Sequence, residues 1–144
     1  MGGGTFSCML LSMIAGRTML KYLEEHERDI YPALEEKGRQ VRQGIEAAFR
    51  SRHIPVKCFG VGSLFTTCFP SSGDVSLRNI EDTELHTDIA RRDKQFRIAM
   101  FNKGVYTIYG GGAISMAHTQ KDIETIIKAA GEVAEEMSRQ EDRA

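Results

Sequence analysis

Long apolar runs are missing from this 144-residue chain. The longest, Met9-Leu10-Leu11 with Met13-Ile14-Ala15 just beyond, falls well short of the roughly 20 residues a helix needs to cross a bilayer. It has the length of a signal-peptide core, but no basic residue precedes it and no small-residue cleavage site follows clearly. Met1-Gly2 opens like a myristoylation signal, yet the sixth residue is Phe6 where Ser or Thr is wanted. A charge surplus is missing too: 19 Lys and Arg stand against 20 Asp and Glu. There is no basic excess to meet nucleic-acid phosphates and no acidic tail to act as a solvating arm. Neither a nucleic acid nor a membrane is expected as a partner. Cysteine is scarce. Cys8, Cys58 and Cys68 are odd in number and fit no zinc spacing, so free thiols in a reducing, cytoplasmic setting are the simplest account. Cys58 and Cys68 fall on neighbouring expected strands, which is not enough to imply a disulfide. No internal repeat and no low-complexity tract is present.

What is there begins with Gly2-Gly3-Gly4-Thr5-Phe6-Ser7, running into an apolar stretch. Bare glycine N–H groups, the Thr5 hydroxyl and a helix start just beyond suit an anion, phosphate above all. By composition alone the same stretch also reads as a plain glycine-rich lead-in, the commoner case. Residues 9–26 predict a helix with Leu10, Met13, Ile14, Leu20 and Leu23 near one face, interrupted by Arg17. Ile30, Leu34, Val41, Ile45, Ala48 and Phe49 follow the helical period and predict a second helix over 30–52. Asp29 lies near its start and Pro32 in its first turn, where proline is tolerated. Gly38 and Gly44 weaken its interior by about 1 kcal/mol each relative to Ala, which points to close packing at those two positions.

His53-Ile54-Pro55 breaks the pattern, and β-branched and aromatic residues predict strands over 56–59 and 63–69. Gly60-Val61-Gly62 between them lacks both the further glycine and the following helix of a nucleotide loop. Residues 70–77 carry turn chemistry. A helix is expected over 79–102, capped by Asn79, Asp82 or Thr83, with Leu85, Ile89, Phe96 and Met100 inward and Lys103-Gly104 as its stop. Residues 105–109 and 113–117 read as two short strands joined by Gly110-Gly111-Gly112. Thr119 and Asp122 have the spacing of a capping box. Beyond them Ile123, Ile126, Ile127, Ala130, Val133, Ala134 and Met137 line one helical face. His118 has the chemistry of a base, but a His just before an N-cap is more often a structural hydrogen-bonder.

The element order gives an α+β fold: a small, mostly antiparallel sheet covered by helices. The expected layout is an entry segment and linking helix over 1–26, the domain over 27–138 and a frayed tail over 139–144.

Thr5-Phe6-Ser7, Leu11-Ser12-Met13, Ala15-Gly16 and Tyr22-Leu23-Glu24-Glu25, with Val61-Gly62-Ser63-Leu64-Phe65-Thr66 and His118-Thr119-Gln120-Lys121-Asp122-Ile123, resemble the C-terminal (small) domain of class III pyridoxal-phosphate-dependent aminotransferases. The likeness is closest to the glutamate-1-semialdehyde 2,1-aminomutase branch and runs from Gly3 to about Met137. Two stretches depart from the pattern. Cys8-Met9-Leu10 stands where the family has Gly-Asn-Pro, and Gly110-Gly111-Gly112 where it more often has a bulkier segment with Phe and Glu near the substrate.

The resemblance implies the small domain of a fold-type-I enzyme that uses pyridoxal phosphate. It implies cofactor-phosphate contacts at Gly4 and Thr5, the threonine reaching across a dimer. It also implies that the Schiff-base lysine and the carboxylate on the pyridine nitrogen belong to a large domain ahead of this segment. None of Lys21, Lys37, Lys57, Lys94, Lys103, Lys121 and Lys128 matches that lysine. The expectation is therefore a C-terminal part that is not catalytic alone, binds no cofactor by itself and keeps at most a weak anion affinity at Gly3-Gly4-Thr5. Its partners would be a second copy or a large domain. A non-enzymatic oligomerisation or binding module on the same scaffold is the alternative.

Overall fold

Three antiparallel strands, adjacent in chain order, form the sheet on which the helices are laid. The computed structural model describes residues 9–72 and 75–141. In chain order the elements are α1 (Leu10–Glu25), α2 (Glu27–Arg50), β1 (Lys57–Phe59), β2 (Leu64–Cys68), α3 (Ile80–His86), α4 (Arg97–Asn102), β3 (Gly111–Ala113) and α5 (Gln120–Glu141). This is the α+β architecture that the sequence predicts.

The register decides which residues meet the helices. Cys58 pairs with Thr67, and Phe59 with Thr66; Phe65 pairs with Gly112. Successive side chains alternate across a strand, so Cys58, Phe65, Thr67 and Phe69 turn toward the helices. Lys57, Phe59, Leu64, Thr66 and Cys68 turn to the other face. α2 and α5 pack side by side on the first face. Val41, Ile45 and Phe49 of α2 are buried with Ile123, Ala130, Val133 and Met137 of α5. Phe49, Phe69 and Phe96 form an edge-to-face triad with centroids 5.4–5.8 Å apart, the geometry aromatic quadrupoles prefer.

Both suspected glycines of α2 sit at close approaches. A Cβ on Gly38 would lie 2.1 Å from the Gly62 carbonyl oxygen, and one on Gly44 2.5 Å from Ile127 of α5. At the start of α5 the capping box forms as its spacing predicts. The Thr119 N–H and hydroxyl both donate to Asp122 Oδ2 at 2.7 Å, and the Asp122 N–H donates back to Thr119 Oγ1 at 3.3 Å. The helix runs on to Glu141.

Elsewhere the expectations need correcting. The single helix over 79–102 is two. Asn79 caps α3, accepting from the Asp82 N–H at 2.7 Å, but α3 stops at His86. The chain there crosses back to the end of β2: Thr87 bridges Pro70, Ser71 N–H donates to His86 O and Asp88 N–H to Phe69 O. Asp88 Oδ1 then accepts from Arg91 N–H and starts a new helix. That helix opens with a π turn over Arg91–Phe96 before α4. Leu85, expected inward, is 69% exposed, while Phe96 and Met100 are fully buried.

The strands expected over 105–109 and 113–117 are also displaced. Of the glycines read as their connection, Gly111 and Gly112 belong to β3 and Gly110 to the turn before it. A Cβ on Gly111 would meet the Phe65 carbonyl oxygen at 2.2 Å, so only glycine pairs this closely with β2. In α1, none of the residues expected along one apolar face is buried.

Candidate functional surface

Gly4 and Thr5, the two residues expected to meet a cofactor phosphate, lie outside the described residues. What the described residues offer is the outer sheet face, the Ile108–Gly111 hairpin turn and the turn before α5.

The lysines come first, because a pyridoxal aldehyde needs a free amine beside its ring. Lys37 Nζ donates to the carbonyls of Met116 at 3.2 Å and His118 at 2.8 Å, tying α2 to the turn that precedes α5. Lys57 Nζ donates to Val75 O at 2.6 Å. Lys103 lies 2.7 Å from Glu136 and 3.3 Å from Glu132, and those two carboxylates, Glu136 first, raise its pKa. Lys21 faces Glu25 at 3.7 Å. Lys94, Lys121 and Lys128 are exposed. Among the described residues no lysine stands free in a cleft beside a carboxylate, so these residues do not by themselves fit the cofactor.

The hairpin is built by backbone. Ile108 and Gly111 exchange N–H···O bonds of 2.8 and 2.9 Å. The two residues between them, Tyr109 (φ 50°) and Gly110 (φ 74°), are both left-handed. That is the tight turn whose twist suits an antiparallel pair, although tyrosine is a poor occupant of its first position. The turn presents Tyr109 to solvent. Beneath it, Gly110 leaves room for Arg92, whose Cγ would sit 2.5 Å from a Cβ at that position. Arg92 pairs with Asp93 through Nε at 2.8 Å, and this bond holds the Asp93 carboxyl below its usual range. Arg92 thus reaches the outer sheet face already neutralised.

His118 has the structural role that its sequence position predicts. Its Nδ1 lies 3.0 Å from the Ser115 N–H, which donates to it, and 2.9 Å from the Ser115 hydroxyl. The His118 backbone N–H donates to Ser115 O at 3.2 Å. The imidazole closes the turn. It borders a cleft of about 350 Å³ floored by Phe65, Val105, Ile114 and Ile126.

Cys58 and Cys68 are on paired strands but on opposite faces of the sheet, offset by one residue in register. No disulfide joins them. Burial pushes the Cys58 thiol up to about 12 and raises that of Cys68. Among the described residues no group of three or more His, Cys, Asp or Glu side chains is placed to hold a metal ion. No described helix is long and apolar enough to cross a membrane.

Apolar side chains are exposed on α1 and around the sheet. Leu10, Leu11, Met13, Ile14, Met19 and Leu20 of α1 are all open, as are Phe59, Leu64, Tyr106 and Tyr109 around the sheet.

No protein-family model matches the chain. It is similar to glutamate-1-semialdehyde 2,1-aminomutases, at 33% identity over 132 residues to that of Thermodesulfovibrio yellowstonii and 31% over 134 residues to that of Thermus thermophilus. These matches take in 88–90% of this chain and 29–30% of the relatives, so the chain spans under a third of their length. In fold it is similar to an omega-transaminase from Sphaerobacter thermophilus, with a TM-score of 0.74 over 96% of this chain and 30% of that one at 23% identity. A β-phenylalanine aminotransferase from Variovorax paradoxus matches with a TM-score of 0.63 over 74% of this chain, 24% of that chain and 24% identity.

Proposed function

We infer, from a chain that carries the C-terminal region of the class III pyridoxal-phosphate aminotransferases, that it does the small domain's part in an aminomutase-type enzyme and is not catalytic on its own. The observation that carries this reading is the match to the aminomutases: about nine-tenths of the chain aligns, yet to under a third of each relative. The cofactor would act as the electron sink for moving an amino group, with the lysine and the ring carboxylate supplied by sequence other than these 144 residues. Among the described residues, what supports that division is the lysine inventory. Each amine is either held by carbonyls or carboxylates or exposed. The chain's own contribution would be the three-stranded sheet, with Phe59, Leu64 and Thr66 exposed on its outer face, and, at Gly4 and Thr5, contacts to the cofactor phosphate. The setting is cytoplasmic.

The test has two arms. Incubated alone with pyridoxal phosphate and then borohydride, the chain acquires only scattered partial labels by peptide mass analysis. Spliced in place of the corresponding third of the Thermus aminomutase, it yields a folded protein that retains the cofactor. One specifically labelled lysine at one-to-one stoichiometry in the isolated chain overturns the reading, and so does a chimaera that folds but holds no cofactor.

A further inference from the structure

The cleft beside His118 is walled by α5, by β3 and by the segment 104–106 that leaves α4. Its floor is apolar, and three of the residues in it, Phe65, Ile114 and Ile126, belong to the core. Two glycines keep it open. Gly104 brings no side chain to the wall, and no atom lies within 4 Å of a Cβ built there. Gly112 of β3 stands over the Phe65 ring, which a Cβ would meet at 3.3 Å.

The rim is polar, and its one formal charge is negative. Asp122, Thr125 and Ile126 recur at three- and four-residue spacing, so they share one side of α5, and all three line the cleft. Thr119 occupies Asp122 Oδ2, while Oδ1 has no hydrogen-bond partner among the described residues. No ion pair reaches Asp122 there either. The bonds from Thr119 hold its carboxyl below the usual range, so near neutrality it is a carboxylate. The Thr125 hydroxyl donates to Lys121 O at 2.7 Å, so toward the cleft it can only accept. His118 adds no charge in this arrangement: Nδ1 accepts the Ser115 N–H, which places the ring hydrogen on Nε2. Tyr106, 76% exposed and edge-to-face with Phe101 at 6.2 Å, completes the wall. An aromatic ring is itself a surface that attracts cations.

We propose that this cleft binds small organic ammonium compounds, with the apolar body on Phe65, Val105, Ile114 and Ile126 and the ammonium group hydrogen-bonded to Asp122 Oδ1 and Thr125 Oγ1. An ammonium carries three donors and no acceptor, which matches a rim whose free groups at α5 are acceptors. An anion would meet the Asp122 carboxylate with no paired cation beside it. A volume of about 350 Å³ stands at the lower end of ligand pockets. It takes one ring with a short side chain, not a dinucleotide or a peptide.

The inference does not depend on the enzymatic reading above, and its test involves no cofactor. The isotope-labelled 144-residue chain is titrated near neutrality with three probes of similar shape: benzylammonium, benzyl alcohol and benzoate. Benzylammonium is expected to give saturable amide shifts centred on Val105, Gly112, Ile114 and Thr125, with a Kd of about 1 mM. Benzyl alcohol should bind about tenfold more weakly, and benzoate should give no saturable shift. Asp122→Asn keeps an acceptor for Thr119 but removes the charge. It should weaken benzylammonium about tenfold and leave benzyl alcohol unchanged. Tyr106→Ala, at an exposed position, leaves the core untouched and should weaken both probes several-fold. Shifts that do not saturate, or that saturate around another part of the chain, overturn the proposal. So does benzyl alcohol binding as tightly as benzylammonium. Undiminished benzylammonium binding in Asp122→Asn overturns it too, and if that variant does not fold, undiminished binding in Tyr106→Ala does so.

Discussion

The α-carbon of Gly38 lies so close to the Gly62 carbonyl that a methyl group there would meet its oxygen at 2.1 Å. Around this contact α2 grips the β1–β2 turn. Arg42 donates to Gly62 O at 2.9 Å and Leu64 O at 3.0 Å, and to Glu35 at 2.7 Å, while Glu35 accepts from the Gly62 N–H at 2.7 Å. Gly38→Ala therefore pits a helix-propensity gain of about 1 kcal/mol against overpacking into backbone, which costs roughly 1–3 kcal/mol. The expected outcome is net destabilisation in a urea titration. Gly44→Ala faces the movable side chain of Ile127 instead, and is expected to cost less than Gly38→Ala in the same assay.

These two glycines were legible in the sequence because a helix interior carries glycine at a cost, and a cost invites a reason. The Thr119–Asp122 box was legible because both partners lie within four residues. What escaped was non-local. The break at Thr87 depends on Pro70, Phe69 and Ser71, and nothing between 79 and 102 announces that β2 will be there to receive the chain. Strand propensity reads side chains, whereas β3 exists because Gly111 has none. The open face of α1 carries the same apolar period as a buried helix, and periodicity does not say whether a partner is present. The candidate site was the least legible part of all: Gly4 and Thr5 rest on family likeness alone and lie outside the described residues.

The capping box gives a pH signature. Bonds from the Thr119 hydroxyl and N–H hold the Asp122 carboxyl below its usual range. A folded-state pKa below the unfolded value means the contribution is fully present above the unfolded aspartate value of about 4 and is lost as pH falls through the folded value. Wild type is thus expected to lose more stability than Asp122→Asn as pH drops below about 4. Near neutrality, Thr119→Ala should cost about 1 kcal/mol as the loss of an N-cap. Equal acid sensitivity of the wild type and Asp122→Asn in thermal melts would remove this account.

Tyr109 occupies a left-handed turn position at φ 50° with its side chain 65% exposed. Asparagine tolerates that conformation at lower cost. Tyr109→Asn is expected to stabilise the fold by a few tenths to about 1 kcal/mol. At the next residue, Gly110→Ala meets both the positive φ and the Arg92 side chain at 2.5 Å, and should destabilise. A urea midpoint that moves down for Tyr109→Asn would mean the tyrosine ring makes a stabilising contact at the hairpin tip.

The two described cysteines should resist both alkylation and pairing. Burial raises the Cys58 thiol to about 12 and shifts Cys68 the same way, and the thiolate is the species that reacts. At pH 8 a thiol of that pKa is ionised to about one part in ten thousand, so iodoacetamide should label Cys58 far more slowly in the folded chain than in urea. Mild oxidant should leave no Cys58–Cys68 bridge, because the side chains lie on opposite faces of the sheet and the S–S bond demands converging Cβ vectors. Peptide mapping by mass reads both outcomes. A recovered Cys58–Cys68 disulfide would mean that the β1–β2 register is not Cys58 against Thr67, whereas rapid native-state labelling at Cys58 would mean that its half-buried thiol is not shielded enough to be held protonated.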